Sequence, residues 1–209
     1  MQLKYHYIKD YFLNPRLFED IELLQLGMAY CEPSTVVDEH AHNDFWELSL
    51  ISSGEGVIYT NDVPAKVRKG DIYISLDYET HKIQSNENSP LKYDFFAFKI
   101  VNDSLKQEFL TFSQALQNPA NRIIQNDTLK LLFQMALSET SFNRYAAEKY
   151  LSLLFSQILI QLIRSLKKQN VDYSSLPTKN EEICYQIIHY IDTHITEIKS
   201  LDALSKIFN

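Results

Sequence analysis

His40–Gly56 reads HAHNDFWELSLISSGEG. Two histidines stand two apart, a glutamate follows at position 47 and a glycine at position 54. In an extended chain, side chains two apart share a face, so His40 and His42 present their imidazoles side by side. Asn43-Asp44 makes a bend, and a strand starts at Phe45. Phe45, Glu47, Ser49 and Ile51 take one face of it; Trp46, Leu48 and Leu50 take the other. Both faces carry apolar residues, which predicts a strand covered on both sides. Glu47 then points inward, where an unpartnered carboxylate is costly, so it needs a cation, a hydrogen-bond donor or a ligand hydroxyl. His81, after the strand and loop KGDIYISLDYET, supplies another imidazole. Neutral imidazoles with a carboxylate could hold Mn, Fe, Ni or Zn; the same groups could equally line a ligand pocket.

Outward from this stretch, short apolar runs recur between turn signals. IELLQLGMAYC, FWELSLI, GVIYT, AKVR, DIYISL and YDFFAFKI read as strands, with a tight hairpin at Asn61-Asp62. This spacing predicts an all-β sandwich or barrel up to about Ile100. The period then becomes helical: one helix over SLKQEFLTFSQAL, one over Asp127–Glu139 capped by Asp127 or Asn126, and a long one over Ser141–Lys168. The long helix is apolar around more than half its circumference, with Leu151, Leu154, Ile158 and Leu162 in its stripe, which leaves surface for a partner helix. QNVDYSSLPTKN reads as a linker. NEEICYQIIHYIDTHI reads as a further helix, and Ser200 caps a last one, SLDALSKIFN. His189 and His194 are expected at the surface of the former, with no role assigned.

The bulk composition narrows the function. The net charge is -7, and the Lys-rich spots are short, so this chain by itself is not expected to hold nucleic acid. Two distant cysteines, Cys31 and Cys184, make neither a disulfide framework nor a metal pair. The N-terminus lacks the apolar run of a signal peptide, and no stretch approaches a membrane span; the expected location is the cytoplasm. Tyr5, Tyr7, Tyr11 and Phe12 form an aromatic arm that either folds over a pocket mouth or packs on the barrel.

The order His-x-His, Glu, Gly at His40, His42, Glu47 and Gly54 resembles the first cupin motif, and Gly70-Asp71 with His81 looks like the second. The second departs from pattern: Leu76 to His81 lacks the Pro-x-Gly that cupins usually place before the histidine. The longer run from LGMAYC to ETHKI resembles the sensor domain of AraC-type transcription regulators, and YIDTHITEIKSLDALSKIFN is similar to the first helices of their helix-turn-helix domain.

That resemblance implies an α+β chain. A cupin-like double-stranded β-helix barrel with an N-terminal arm (1–100) would bind the effector, and a helical dimerisation region would follow (101–169). A linker (170–180) would lead to a partial, truncated DNA-binding domain (181–209). It implies a small-molecule effector, with carbohydrate the first expectation, and a homodimer paired through the long helix. DNA would be bound only by the full-length protein, and there would be no membrane partner and no enzymatic activity. No cofactor is expected beyond a divalent metal that His40, His42, Glu47 and His81 could hold. A metal-dependent cupin enzyme, a dioxygenase or sugar isomerase, is the alternative; SLDALSKIF has no place in such an enzyme and decides for the regulator.

Overall fold

Side-chain alternation organises the N-terminal part of the chain. In the computed structural model, residues 4–112, 115–142 and 144–170 are described, and beyond them 187, 188, 190, 191, 194, 198 and 200–208. The strands are β1 Lys4–Asp10, β2 Arg16–Leu17, β3 Ile21–Tyr30, β4 Val36–Ala41, β5 Trp46–Ser53, β6 Glu55–Thr60, β7 Val63–Arg68, β8 Ile72–Ser75, β9 Thr80–Ser85, β10 Lys92–Ile100 and β11 Ile123–Ile124. They form two antiparallel sheets. One runs β1-β3-β10-β5-β8-β11 with β2 on β3, and the other runs β4-β9-β6-β7. Asn61 and Asp62 both adopt positive φ (46° and 65°), the type I′ hairpin turn between β6 and β7. Gly54, between β5 and β6, has φ 77°, and a Cβ there would lie 2.0 Å from the Pro90 carbonyl oxygen.

The larger sheet has apolar side chains on both faces. Ile51, Tyr73, Tyr93 and Phe95 meet Val37, Ile58, Val67 and Ile83 of the smaller sheet, filling the space between them. The result is a cupin-like β-sandwich. Trp46, Leu48, Leu50, Ile74, Phe96 and Phe98 face the other way, into a second core shared with the helices.

Those helices are α1 Asp103–Leu110, α2 Asp127–Thr140 and α3 Ala147–Asn170. The Asn102 side chain caps α1 and that of Asn126 caps α2. The middle helix begins at Asp127 as expected and runs one residue further, to Thr140, while the other two are shorter or shifted. Thr111 closes α1, so the expected continuation to Leu116 is a separate 3-10 turn, Ala115–Gln117. Ser141 closes α2, and Ala146 at φ 57° interrupts the chain before α3, which therefore begins six residues later than expected and runs to Asn170.

The stripe expected to pair two copies, Leu151, Leu154, Ile158 and Leu162, lies instead inside this core beside Phe96, Phe133 and Phe155. The larger sheet needs an apolar cover, and α3 supplies it.

Met1–Asn170 is one compact unit and Val171–Asn209 another. The expected linker from 171 onwards lies outside the described residues, as do Cys184, His189 and much of the helix expected over 180–195. In the second unit, α4 spans Leu201–Phe208, Tyr190 stacks on His194 (4.2 Å between centroids), and Phe208 meets Tyr190 edge-on.

Leu162 is 0% exposed and Leu154 is 1% exposed. Leu162→Ala is therefore expected to lower unfolding free energy by about 2–5 kcal/mol in a denaturant titration, through lost burial and the cavity left behind. A variant that dissociates without losing stability would remove the side chain from the core role.

Candidate functional site

β4 carries His40 near its end, and His42 follows just beyond it. β9 lies beside β4 with His40 opposite His81, and its other neighbour β6 places Thr60 opposite His81. Three imidazoles converge as a result. The ring centroids of His40 and His81 are 4.1 Å apart, those of His42 and His81 4.6 Å, and those of His40 and His42 5.4 Å. One ring nitrogen from each lies within 4.8 Å of the others.

Glu47 stands beside this group. Its Oε2 is 3.9 Å from His42 Nε2, and its Oε1 accepts a hydrogen bond from Ser49 Oγ (3.2 Å). Of the four residues proposed from sequence, the histidines form one ligand-sized cluster; Glu47 touches it through His42.

The environment disfavours charge on His42, His81 and Glu47. Burial, then the neighbouring His40, lowers His42 to a pKa of about 4. Burial, then His40, His42 and Arg122, lowers His81 to about 2. Burial raises Glu47 to about 7, against the opposing Ser49 hydrogen bond. Burial thus disfavours the charged form of both partners in the 3.9 Å contact between His42 and Glu47.

His40 is exposed, and its Nδ1 lies 2.9 Å from the Asp38 carbonyl oxygen. A carbonyl can only accept, so Nδ1 carries the proton and Nε2 of the neutral ring holds the free lone pair. His42 Nδ1 and both ring nitrogens of His81 are buried and have no hydrogen-bond partner among the described residues. Buried polar atoms rarely go unpartnered. Lone pairs from neutral imidazoles, one of them with its second nitrogen tied to a backbone carbonyl, fit a divalent transition metal, and they fit a hydrogen-bonding ligand as well.

Beside the cluster lies a cavity of about 240 Å³, lined by Phe12, Gln25, His40, His42, Phe45 and Glu47 among others. Phe45 stacks on His42 (4.5 Å), and Phe12 meets Phe45 edge-on (5.8 Å). The aromatic arm therefore divides. Phe12 reaches the cavity, Tyr11 packs against the helix-side core, and the side chains of Tyr5 and Tyr7 lie outside the described residues.

The β8–β9 turn makes its reversal without Pro-x-Gly. Tyr78 adopts φ 59°, a left-handed conformation rare for a bulky residue, and its N–H donates to the His42 carbonyl at 2.6 Å. Glu79 binds Arg122 through both carboxylate oxygens, at 2.5 and 2.8 Å. Sequence reasoning missed Arg122, Glu79, Tyr73 and Thr60. The one available signal was an acidic residue two before His81; Arg122 sits in PANRII, where nothing marks it as buried.

Comparison with known proteins fits this architecture. The family model for the AraC-like ligand binding domain matches residues 23–174, and the chain belongs to that family. Among curated relatives, the HTH-type transcriptional activator RhaS of an Enterobacter species is 23% identical over 190 residues, which is 85% of this chain and 63% of the relative. RhaS of Pectobacterium atrosepticum is 29% identical over 141 residues, covering 62% of this chain and 48% of its own. The chain thus spans between about half and two thirds of the length of these relatives. Among solved structures, the cupin domain of Schizosaccharomyces pombe Cnp3 is similar at a TM-score of 0.39 and 11% identity, over 53% of this chain and 72% of that one. A cupin protein of Bacteroides fragilis is similar at a TM-score of 0.35 and 17% identity, over 41% of this chain and 70% of that one. Among the described residues, no helix is long and apolar enough to cross a membrane.

Glu47 gives the site a pH signature. Its folded pKa of about 7 exceeds the ordinary 4.5, so the native state binds the proton more tightly and stability falls as pH rises between those values. Glu47→Gln should therefore raise the melting temperature of chelator-treated protein at pH 8, by up to about 3 kcal/mol in stability, and leave it unchanged at pH 4. Equal melting shifts at both pH values would show that the carboxyl is not held neutral.

Proposed function

We propose that this chain is the sensing part of a ligand-responsive transcription regulator of the AraC type, and that the cavity beside His40, His42 and Glu47 receives the effector. The observation that carries this reading is the family match over residues 23–174, joined to a cavity of about 240 Å³ lined in part by His42, whose buried Nδ1 has no partner among the described residues. Aromatic faces at Phe12 and Phe45, with polar groups at Gln25, His42 and Glu47, suit a small hydroxylated molecule. A low-molecular-weight carbohydrate is the effector class we favour. A panel of monosaccharides tested by thermal shift should contain one that stabilises the protein by about 2.7 kcal/mol at a hundredfold excess over its Kd. His42→Ala should abolish that shift. A panel with no stabilising sugar rejects the carbohydrate class.

DNA contact belongs to a helix-turn-helix domain of the full-length regulator, of which SLDALSKIF would be an early helix. The present chain, with a net charge of -7, is expected to show no promoter-specific band in a gel shift at physiological salt.

Pairing of two copies moves to the outward face of α3. Tyr150 (40% exposed), Leu153 (45%) and Ile160 (37%) lie there, with exposed Gln157 and Arg164 completing steps of three and four. That is the seam spacing of a two-helix coil. Leu153→Glu with Ile160→Glu should yield folded monomers in sedimentation, with an unchanged melt apart from the loss due to dissociation. A persistent dimer would place the interface elsewhere.

A metal-dependent cupin enzyme is the second reading, favoured by one observation, the convergence of His40, His42 and His81. A divalent ion held there would supply Lewis-acid polarisation of a bound oxygen. Elemental analysis of protein purified without chelator tests whether the ion is held at all.

A further inference from the structure

We propose that Arg122 and Glu79 form a positioning pair that sets where His81 stands, from outside the cavity; this rests on reading the histidine cluster as the binding site. Arg122 is fully buried and takes no part in the ring contacts within the cluster. It lies in the 3-10 turn Pro119–Arg122, which leads into β11 and then α2. Three of its donors are engaged. Nε donates to the Leu116 carbonyl at 2.5 Å, Nη1 to Glu79 Oε2 at 2.5 Å and Nη2 to Glu79 Oε1 at 2.8 Å. The Leu116 bond fixes the fork to the helix-side segment, so the fork in turn fixes Glu79.

Glu79 lies two residues before His81, in a turn under strain. Tyr78 holds left-handed φ, which a bulky residue leaves when it is free to do so. Two contacts oppose that relaxation: the Tyr78 N–H on the His42 carbonyl, and the bidentate clamp on Glu79. The imidazole of His81 cannot locate itself, because neither ring nitrogen has a partner among the described residues. Its place is set by its backbone and by packing against His40 and His42.

On β8, the Tyr73 hydroxyl shares a 2.8 Å hydrogen bond with Thr60 Oγ1. Thr60 is the β6 residue directly across from His81. One guanidinium thus holds the chain just before His81. The planar two-pronged donor is required for this; a lysine ammonium is a point charge and cannot reproduce it.

The test uses Arg122→Lys, Glu79→Gln and the charge-balanced double variant Arg122→Met/Glu79→Leu, which leaves no orphaned charge. Imidazole 1H–15N spectra of metal-free protein report ring position directly, with the His81 signal assigned from a His81→Asn variant. Co2+ titration, followed by its visible absorption, reports the assembled cluster. In each variant that folds, the His81 signal should shift or broaden while that of His6 stays in place, and Co2+ affinity should fall tenfold or more. Folded variants with an unmoved His81 signal overturn the proposal. Loss of folding in all three overturns it too, since the pair would then hold the fold rather than the site. If the wild-type chain binds no Co2+, the metal reading fails on its own, and the His81 signal still decides the role of the pair.

Discussion

Strand β5 is buried on both faces, and each face serves a different layer. Trp46, Leu48 and Leu50 belong to the core shared with the helices, while Glu47, Ser49 and Ile51 face the space between the sheets. Because side chains alternate strictly, a one-residue slip would send Glu47 among Phe96, Phe98 and the helices, and Leu48 beside His42. The register with β8 and β10 is therefore fixed by the cost of burying a carboxyl in an apolar layer. The position of the candidate site follows from that register.

The interior between the sheets is itself divided. Ile51, Ile58, Val67 and Phe95 pack one region without polar groups, while His42, His81, Glu47, Ser49 and Thr60 collect in another. Burial disfavours charge on His42, His81 and Glu47, and ring nitrogens of both histidines have no partner among the described residues. Such a region is most stable when something with complementary donors, acceptors or a metal centre enters it.

Sequence alone disclosed the parts governed by local rules. Parity placed Glu47 and Trp46 on opposite faces, and Asn61-Asp62 marked the hairpin, because both depend on adjacent residues. β4 and β9 escaped notice for a physical reason. β4 has one buried residue, Val37, among exposed neighbours, and β9 buries His81 and Ser85 where a core strand would bury apolar side chains. The strands that bring His40 and His81 together are disguised by the polar residues that make them functional. Arg122 was hidden more completely, since a fully buried arginine is rare and the charge partner that makes it tolerable, Glu79, lies far off in sequence.

The long helix shows how one feature can be read correctly and assigned to the wrong side. Its apolar surface is too wide for one contact, as its residue pattern indicates, but periodicity cannot say which flank meets which neighbour. In the structure the flank built from Leu151, Leu154, Ile158 and Leu162 covers the larger sheet, which would otherwise expose Phe96 and Phe98. The opposite flank, with Tyr150, Leu153 and Ile160, is left exposed. The exposed flank of α2 is mixed, with Thr128, Gln134 and Ser138 beside Leu131, which is 57% exposed. On α3 the outer flank likewise carries Tyr150, Leu153 and Ile160 interleaved with the polar Gln157 and Arg164, half a turn away from the side that covers the sheet.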